Sequence, residues 1–158
     1  MPRKVPEILC VCLGNICRSP AAEGVLRDRL TAATIDAVID SAGTGGWHRG
    51  NPPDRRMIAA ARARGLDLTG QRARQVDVGD FYVFDFILAM DSQNFADLQD
   101  LAPRDGTASL HKFLDFANGG DVPDPYYGGA DGFETVLDLL EEASDGFIRY
   151  LTEWQSGA

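Results

Sequence analysis

The residues with the most chemistry in them lie close together near the N-terminus. In Val11-Cys12-Leu13-Gly14-Asn15-Ile16-Cys17-Arg18-Ser19-Pro20 a cysteine is followed, after five residues, by an arginine. This pattern suits a phosphate dianion. Successive backbone N–H groups in a tight loop form an anion-binding nest, and a following helix N-terminus adds positive potential. Gly14 allows a positive φ, and Asn15 tolerates one better than most residues do. Arg18 can clamp two phosphoryl oxygens with parallel hydrogen bonds, a geometry lysine cannot reproduce. The helix terminus and the arginine favour the thiolate of Cys12, and the Ser19 hydroxyl can donate to that sulfur. A thiolate beneath a phosphoryl group is an in-line nucleophile. Cys10, one strand step back, reads as a small buried hydrophobe.

Hydrolysis of a phosphate ester also needs an acid to protonate the departing oxygen. Asp124, in Val122-Pro123-Asp124-Pro125, sits where two prolines stiffen a loop that can hold a carboxyl over the cradle. Asp121 is a weaker competitor because no proline follows it. Trp47, Tyr126 and Tyr127 fall in segments expected to be loops, where they can wall a groove for an aromatic substrate. His48 and His111 have no cysteine or carboxylate partners at metal-ligand spacing. Cys10, Cys12 and Cys17 lack a convincing fourth ligand, so neither a metal nor a cofactor is expected.

These residues need elements to carry them. Apolar β-type runs alternate with helical patterns, the signature of α/β layers around a parallel sheet. Strands are predicted at Ile8–Leu13, Ala37–Asp40, Phe84–Met90 and, more weakly, Ser109–Leu114. Ser19-Pro20 reads as a Ser cap with Pro in the first helical position. Asp54 is expected to cap a helix reaching Arg64 with Gly65 as its stop, and Asp91 one ending before Pro103. Asp131-Gly132-Phe133-Glu134 has capping-box spacing ahead of a long amphipathic helix running to Trp154. Four strands with intervening helices suggest a small doubly wound, flavodoxin-like fold, which binds ligands outside the carboxyl ends of its strands.

The length of 158 residues fits one domain over 1–158. Fifteen basic against 24 acidic residues leave a net charge of −9. That balance disfavours nucleic-acid and acidic-membrane partners, which need a broad positive field, while permitting a local anion site. Three clustered cysteines, no signal-peptide pattern and no apolar run near 18 residues point to a cytoplasmic protein.

The loop from Val11 to Pro20 resembles the active-site loop of the low-molecular-weight protein tyrosine phosphatases. The resemblance continues through Ser41-Ala42-Gly43-Thr44, Ala73-Arg74-Gln75, Ala89-Met90-Asp91 and Asp124-Pro125-Tyr126-Tyr127-Gly128, in the family's order. It implies a four-stranded parallel sheet, metal-free hydrolysis of phosphotyrosine on proteins through a cysteinyl-phosphate, and inorganic phosphate as product. On this resemblance Cys12 matches the nucleophile, Arg18 the phosphate clamp and Asp124 the general acid. Leu13, Gly14, Asn15, Ile16, Cys17 and Ser19 complete the phosphate loop. Asn15, Ser19 and Ser41 match the polar group that holds the loop in shape. Gln71 stands where many members carry a histidine bonded to that group.

Related branches define the alternatives. Arsenate reduction needs downstream cysteines, and none follows Cys17. The phosphoarginine branch resembles a Thr at the position of Ile16, and the bulkier Ile favours a tyrosine-type pocket. A non-catalytic phosphopeptide-binding module would require neither Cys12 nor Asp124. Cys17 adds an expected reversible switch: a sulfenic acid on Cys12 can be captured as a Cys12–Cys17 disulfide before further oxidation.

Overall fold

A computed structural model describes residues 5–125 and 129–157. The chain runs β1 (Glu7–Cys12), α1 (Arg18–Ala32), β2 (Val38–Gly43), α2 (Arg55–Arg62), α3 (Asp80–Val83), β3 (Phe86–Ala89), α4 (Ser92–Leu101), β4 (Ser109–Lys112) and α5 (Ala130–Gln155), with a 3-10 turn at Phe113–Phe116 after β4. The four strands form one parallel sheet in the order β2-β1-β3-β4. The order reverses at β1, so the crevice beyond Cys12 lies at the topological switch point.

Side chains alternate across β1, and the two faces build separate cores. Ile8 and Cys10 join Phe86, Leu88 and the buried stripes of α1, α2 and α5. Leu9 and Val11 join Ile87, Ala89, Phe81 and Leu98, beneath α3 and α4. Helices therefore cover both faces, as expected of a doubly wound sheet. Cys10 is fully buried in the first core, as its strand position suggested.

The two predicted aspartate caps form. Asp54 accepts from the Arg56 N–H at 2.8 Å, and Asp91 accepts from the Asn94 N–H at 2.7 Å. Other boundaries move. Helix α1 starts at Arg18 with Cys17 at its N-cap, so Ser19 is no cap and Pro20 lies in the third helical position. Helix α5 starts after Gly129 without a side-chain cap, so Asp131 and Glu134 form no capping box. Glu134 pairs with Arg64 instead, at 2.7 Å. Strand β2 extends to Gly43, and β4 stops at Lys112 because Phe113 and Leu114 turn inward as part of the 3-10 turn. The short helix α3 was not predicted. It forms around Asp80, which accepts from the Asp77 N–H and from both terminal nitrogens of the Arg74 guanidinium.

Candidate active site

Cys12 is the last residue of β1, and five loop residues separate it from Arg18, the first of α1. Its sulfur accepts the Asn15 N–H at 3.3 Å and lies 3.0 Å from the Ser19 hydroxyl. Asn15 holds the loop together. Its side-chain amide donates to Ser19 Oγ at 2.8 Å and Ser41 Oγ at 2.9 Å, and its carbonyl accepts the Arg74 N–H at 3.0 Å. Ser41 donates to Gln71 Oε1 at 3.4 Å, and Gln71 donates to the Pro20 carbonyl at 3.0 Å. Hydrogen bonds thus join Ser41 and Gln71 to the loop and to the start of α1. Because Ser19 Oγ already accepts from Asn15, its own proton is available to the Cys12 sulfur or to the Ala42 carbonyl at 3.3 Å.

The left-handed turn falls on Asn15, at φ 59°, and not on Gly14. Gly14 is needed for close approach instead, since a Cβ there would stand 3.0 Å from the His48 ring. Gly43 has a similar role across the crevice, where a Cβ would come within 2.7 Å of the Leu13 carbonyl. That closeness lets the Thr44 and Gly45 amides bond the Cys12 and Leu13 carbonyls, both at 2.9 Å.

Arg18 is 3% exposed. Its Nη1 donates to Asp91 Oδ2 at 2.6 Å and to the Val122 carbonyl at 3.1 Å, while Nη2 faces Asp124 at 3.7 Å. Burial works against the Arg18 charge, but the Cys12 sulfur and Asp91 outweigh it and hold its pKa above the ordinary value. Asp91 therefore serves twice: one oxygen caps α4 and the other fixes the arginine. Sequence reasoning found only the cap. Asp121 faces elsewhere, bound to Ser92 at the start of α4 and to Lys112, whereas the Asp124 carboxyl lines the pocket.

Cys12, Leu13, Gly14, Ile16, Cys17, Arg18, Trp47, His48 and Asp124 line one pocket of about 410 Å³. His48, discounted in the sequence for want of metal partners, is part of this wall. Trp47 stands 73% exposed at the rim. Tyr126 and Tyr127 lie outside the described residues. All three cysteines are free thiols. Burial pushes the Cys17 thiol well up, with Asp54 and Cys12 adding to the shift. Among the described residues no group of three or more metal-ligating side chains comes together, and no helix is long and apolar enough to cross a membrane.

The model of the low molecular weight phosphotyrosine protein phosphatase family matches residues 7–156. The chain belongs to this family. The family's phosphatase from Schizosaccharomyces pombe is 42% identical over 149 residues, which cover 90% of this chain and 95% of that one. The crystal structure of a protein tyrosine phosphatase from Entamoeba histolytica superposes with a TM-score of 0.90 at 40% identity, covering 94% of this chain and 97% of that one. A Drosophila protein described as an arginine phosphatase has the same fold, with a TM-score of 0.87 at 30% identity, covering 91% of this chain and 96% of that one. The likeness in fold to these two solved structures extends over more than nine-tenths of the chain. The enzyme class is that of a low molecular weight protein tyrosine phosphatase.

Proposed function

We propose that this chain, acting as one domain over residues 1–158, hydrolyses phosphotyrosine on proteins through a cysteinyl-phosphate intermediate. The observation that carries the reading is the Cys12 sulfur, which accepts the Asn15 N–H and touches the Ser19 hydroxyl at the base of a pocket also lined by Arg18 and Asp124. The Cys12 thiolate attacks phosphorus, forming an S–P bond as the P–O ester bond breaks. Asp124 gives its proton to the departing phenol oxygen. Water then attacks phosphorus, the S–P bond breaks, Asp124 takes the water's proton, and inorganic phosphate leaves. Arg18 and the loop amides bind the equatorial oxygens, whose charge they are preorganised to meet.

Ile16 in the pocket wall supports an aryl ester over phosphoarginine, because its apolar side chain suits a ring better than a guanidinium. The test is turnover of phosphotyrosine, phosphoserine and phosphoarginine peptides in EDTA, by the wild type and Cys12→Ser. Phosphotyrosine is expected to be cleaved fastest by the wild type. Cys12→Ser is expected to lose essentially all turnover and still bind phosphate, since the cradle is amides and Arg18. A Cys12→Ser protein retaining more than a small fraction of the rate would sink the covalent mechanism.

A further inference from the structure

The pocket that holds Cys12 has a neighbour. A second cavity of about 560 Å³ lies beside it. It belongs to the same carboxyl-end face of the sheet, assembled from the loops after β1 and β2, the segment bridged to Gly43 through Gln75, and α4. Leu13 and Trp47 line both cavities, so those two side chains form the ridge between them. Both crest residues are apolar and open to solvent, Leu13 at 41% and Trp47 at 73%. Beyond the ridge the walls are largely apolar, with Val76, Leu98 and Leu101. Of the polar groups at its edge, the Thr44 hydroxyl is buried without a hydrogen-bond partner among the described residues, and the side chains of Gln75 and Asp97 are engaged within the protein. Gln75 is held by Arg49 and by the Thr44 carbonyl, and Asp97 accepts from Gln93.

We propose that this second cavity is a specificity subsite that takes a bulky apolar side chain of the substrate, close in sequence to the phosphotyrosine. The proposal rests on the phosphotyrosine reading above. Its basis is continuity: a peptide whose phosphotyrosine fills the first pocket and whose chain crosses the Leu13–Trp47 ridge meets the second directly. An extended peptide advances about 3.3 Å per residue with alternating side chains, so a residue within a few positions reaches it. The walls offer an incoming side chain apolar surface from Val76, Leu98 and Leu101, with the Asp97 carboxylate at the edge bonded to Gln93, which favours leucine, methionine or phenylalanine over polar residues.

The experiment measures kcat/KM for phosphotyrosine peptides in which each of the three positions on either side is alanine, leucine, lysine or glutamate in turn. Phenyl phosphate, too small to cross the ridge, is the control. One position is expected to favour leucine over alanine about tenfold, the discrimination a hydrophobic pocket typically supplies. Leu101→Glu, which places a charge in the second cavity alone, is expected to abolish that preference and leave phenyl phosphate turnover unchanged. Should Leu101→Glu lose phenyl phosphate turnover through misfolding, Leu101→Asn carries the same comparison.

Equal rates for alanine and leucine at every position would overturn the subsite, as would a leucine preference that survives in the Leu101 variants. A preference for lysine that disappears in Asp97→Asn would overturn its apolar character. Failure of the wild type on phenyl phosphate and on every phosphotyrosine peptide would instead overturn the phosphotyrosine reading, and the subsite with it.

Discussion

At Asp124 the chemistry depends on a proton that is needed only when the leaving group is poor. Replacing it with asparagine keeps the side chain's size and its place beside Arg18 while removing the acid. General acid catalysis contributes about 10²–10⁴-fold where it is required. Asp124→Asn is therefore expected to slow phosphotyrosine hydrolysis by that order and to slow an ester of a strongly acidic phenol much less. Equal losses on both substrates, read as kcat, would make Asp124 a binding residue. Cys17 is the other residue whose role experiment decides. It lies in the same pocket as Cys12, with its thiol kept protonated by burial. A sulfenic acid formed on Cys12 by peroxide would take that thiol as partner, releasing water as the S–S bond forms. Activity lost to peroxide is expected to return with a thiol reductant in the wild type, and far less in Cys17→Ser. Equal recovery would leave Cys17 as packing alone.

At the scale of elements, the phosphate loop is held by one residue in a strained conformation. Asn15 has a left-handed backbone, costing roughly 1–2 kcal/mol for a residue with a Cβ, and offsets this with three side-chain hydrogen bonds of about 1 kcal/mol each. Asn15→Ala is expected to destabilise the protein by at least ~2 kcal/mol and to reduce kcat sharply. Asn15→Gly relieves the strain without restoring the bonds, and should recover stability more than activity. Denaturant melts of the two variants separate these contributions. The loop's ingredients were legible in the sequence, because Cys12, Arg18 and a flanking strand and helix leave few other arrangements. Its internal division of labour was not. Ser19 looks like a helix cap in isolation, but its hydroxyl is committed to Asn15 and the sulfur, and α1 begins two residues earlier than a cap there would allow. The choice of turn residue between Gly14 and Asn15 was open for a related reason: glycine permits positive φ anywhere, whereas only the three bonds formed in the fold show why Asn15 adopts it. The second role of Asp91 depends on Arg18 arriving from 73 residues away, which no local pattern encodes.

At the scale of the whole molecule, the β4 edge of the sheet is closed by an aromatic group into which His111 is set. Its ring lies 5.3 Å from Phe116 and 5.8 Å from Tyr150, centroid to centroid. Its Nε2 is buried with no hydrogen-bond partner among the described residues. Burial depresses the His111 pKa below 6.5, only partly opposed by Asp115. The unfolded chain therefore binds the proton first as pH falls, so this residue costs no stability well above pH 6.5 and erodes stability below it. His111→Phe should flatten that limb: melting temperatures taken at pH 7.5 and 5.5 are expected to differ less in the variant than in the wild type. An unchanged difference would mean that other groups set the acid limb.

The paired duties of Asp91 couple two events that would otherwise be independent. Whatever fastens Arg18 also fastens the carboxylate whose other oxygen closes the first turn of α4, and by thermodynamic reciprocity fraying of that turn loosens the arginine. The link ends at the Asn94 amide, on an element that contributes none of the described lining of the Cys12 pocket. Protection of that amide against hydrogen exchange is expected to rise when phosphate is bound, a gauge of occupancy at a distance from the pocket.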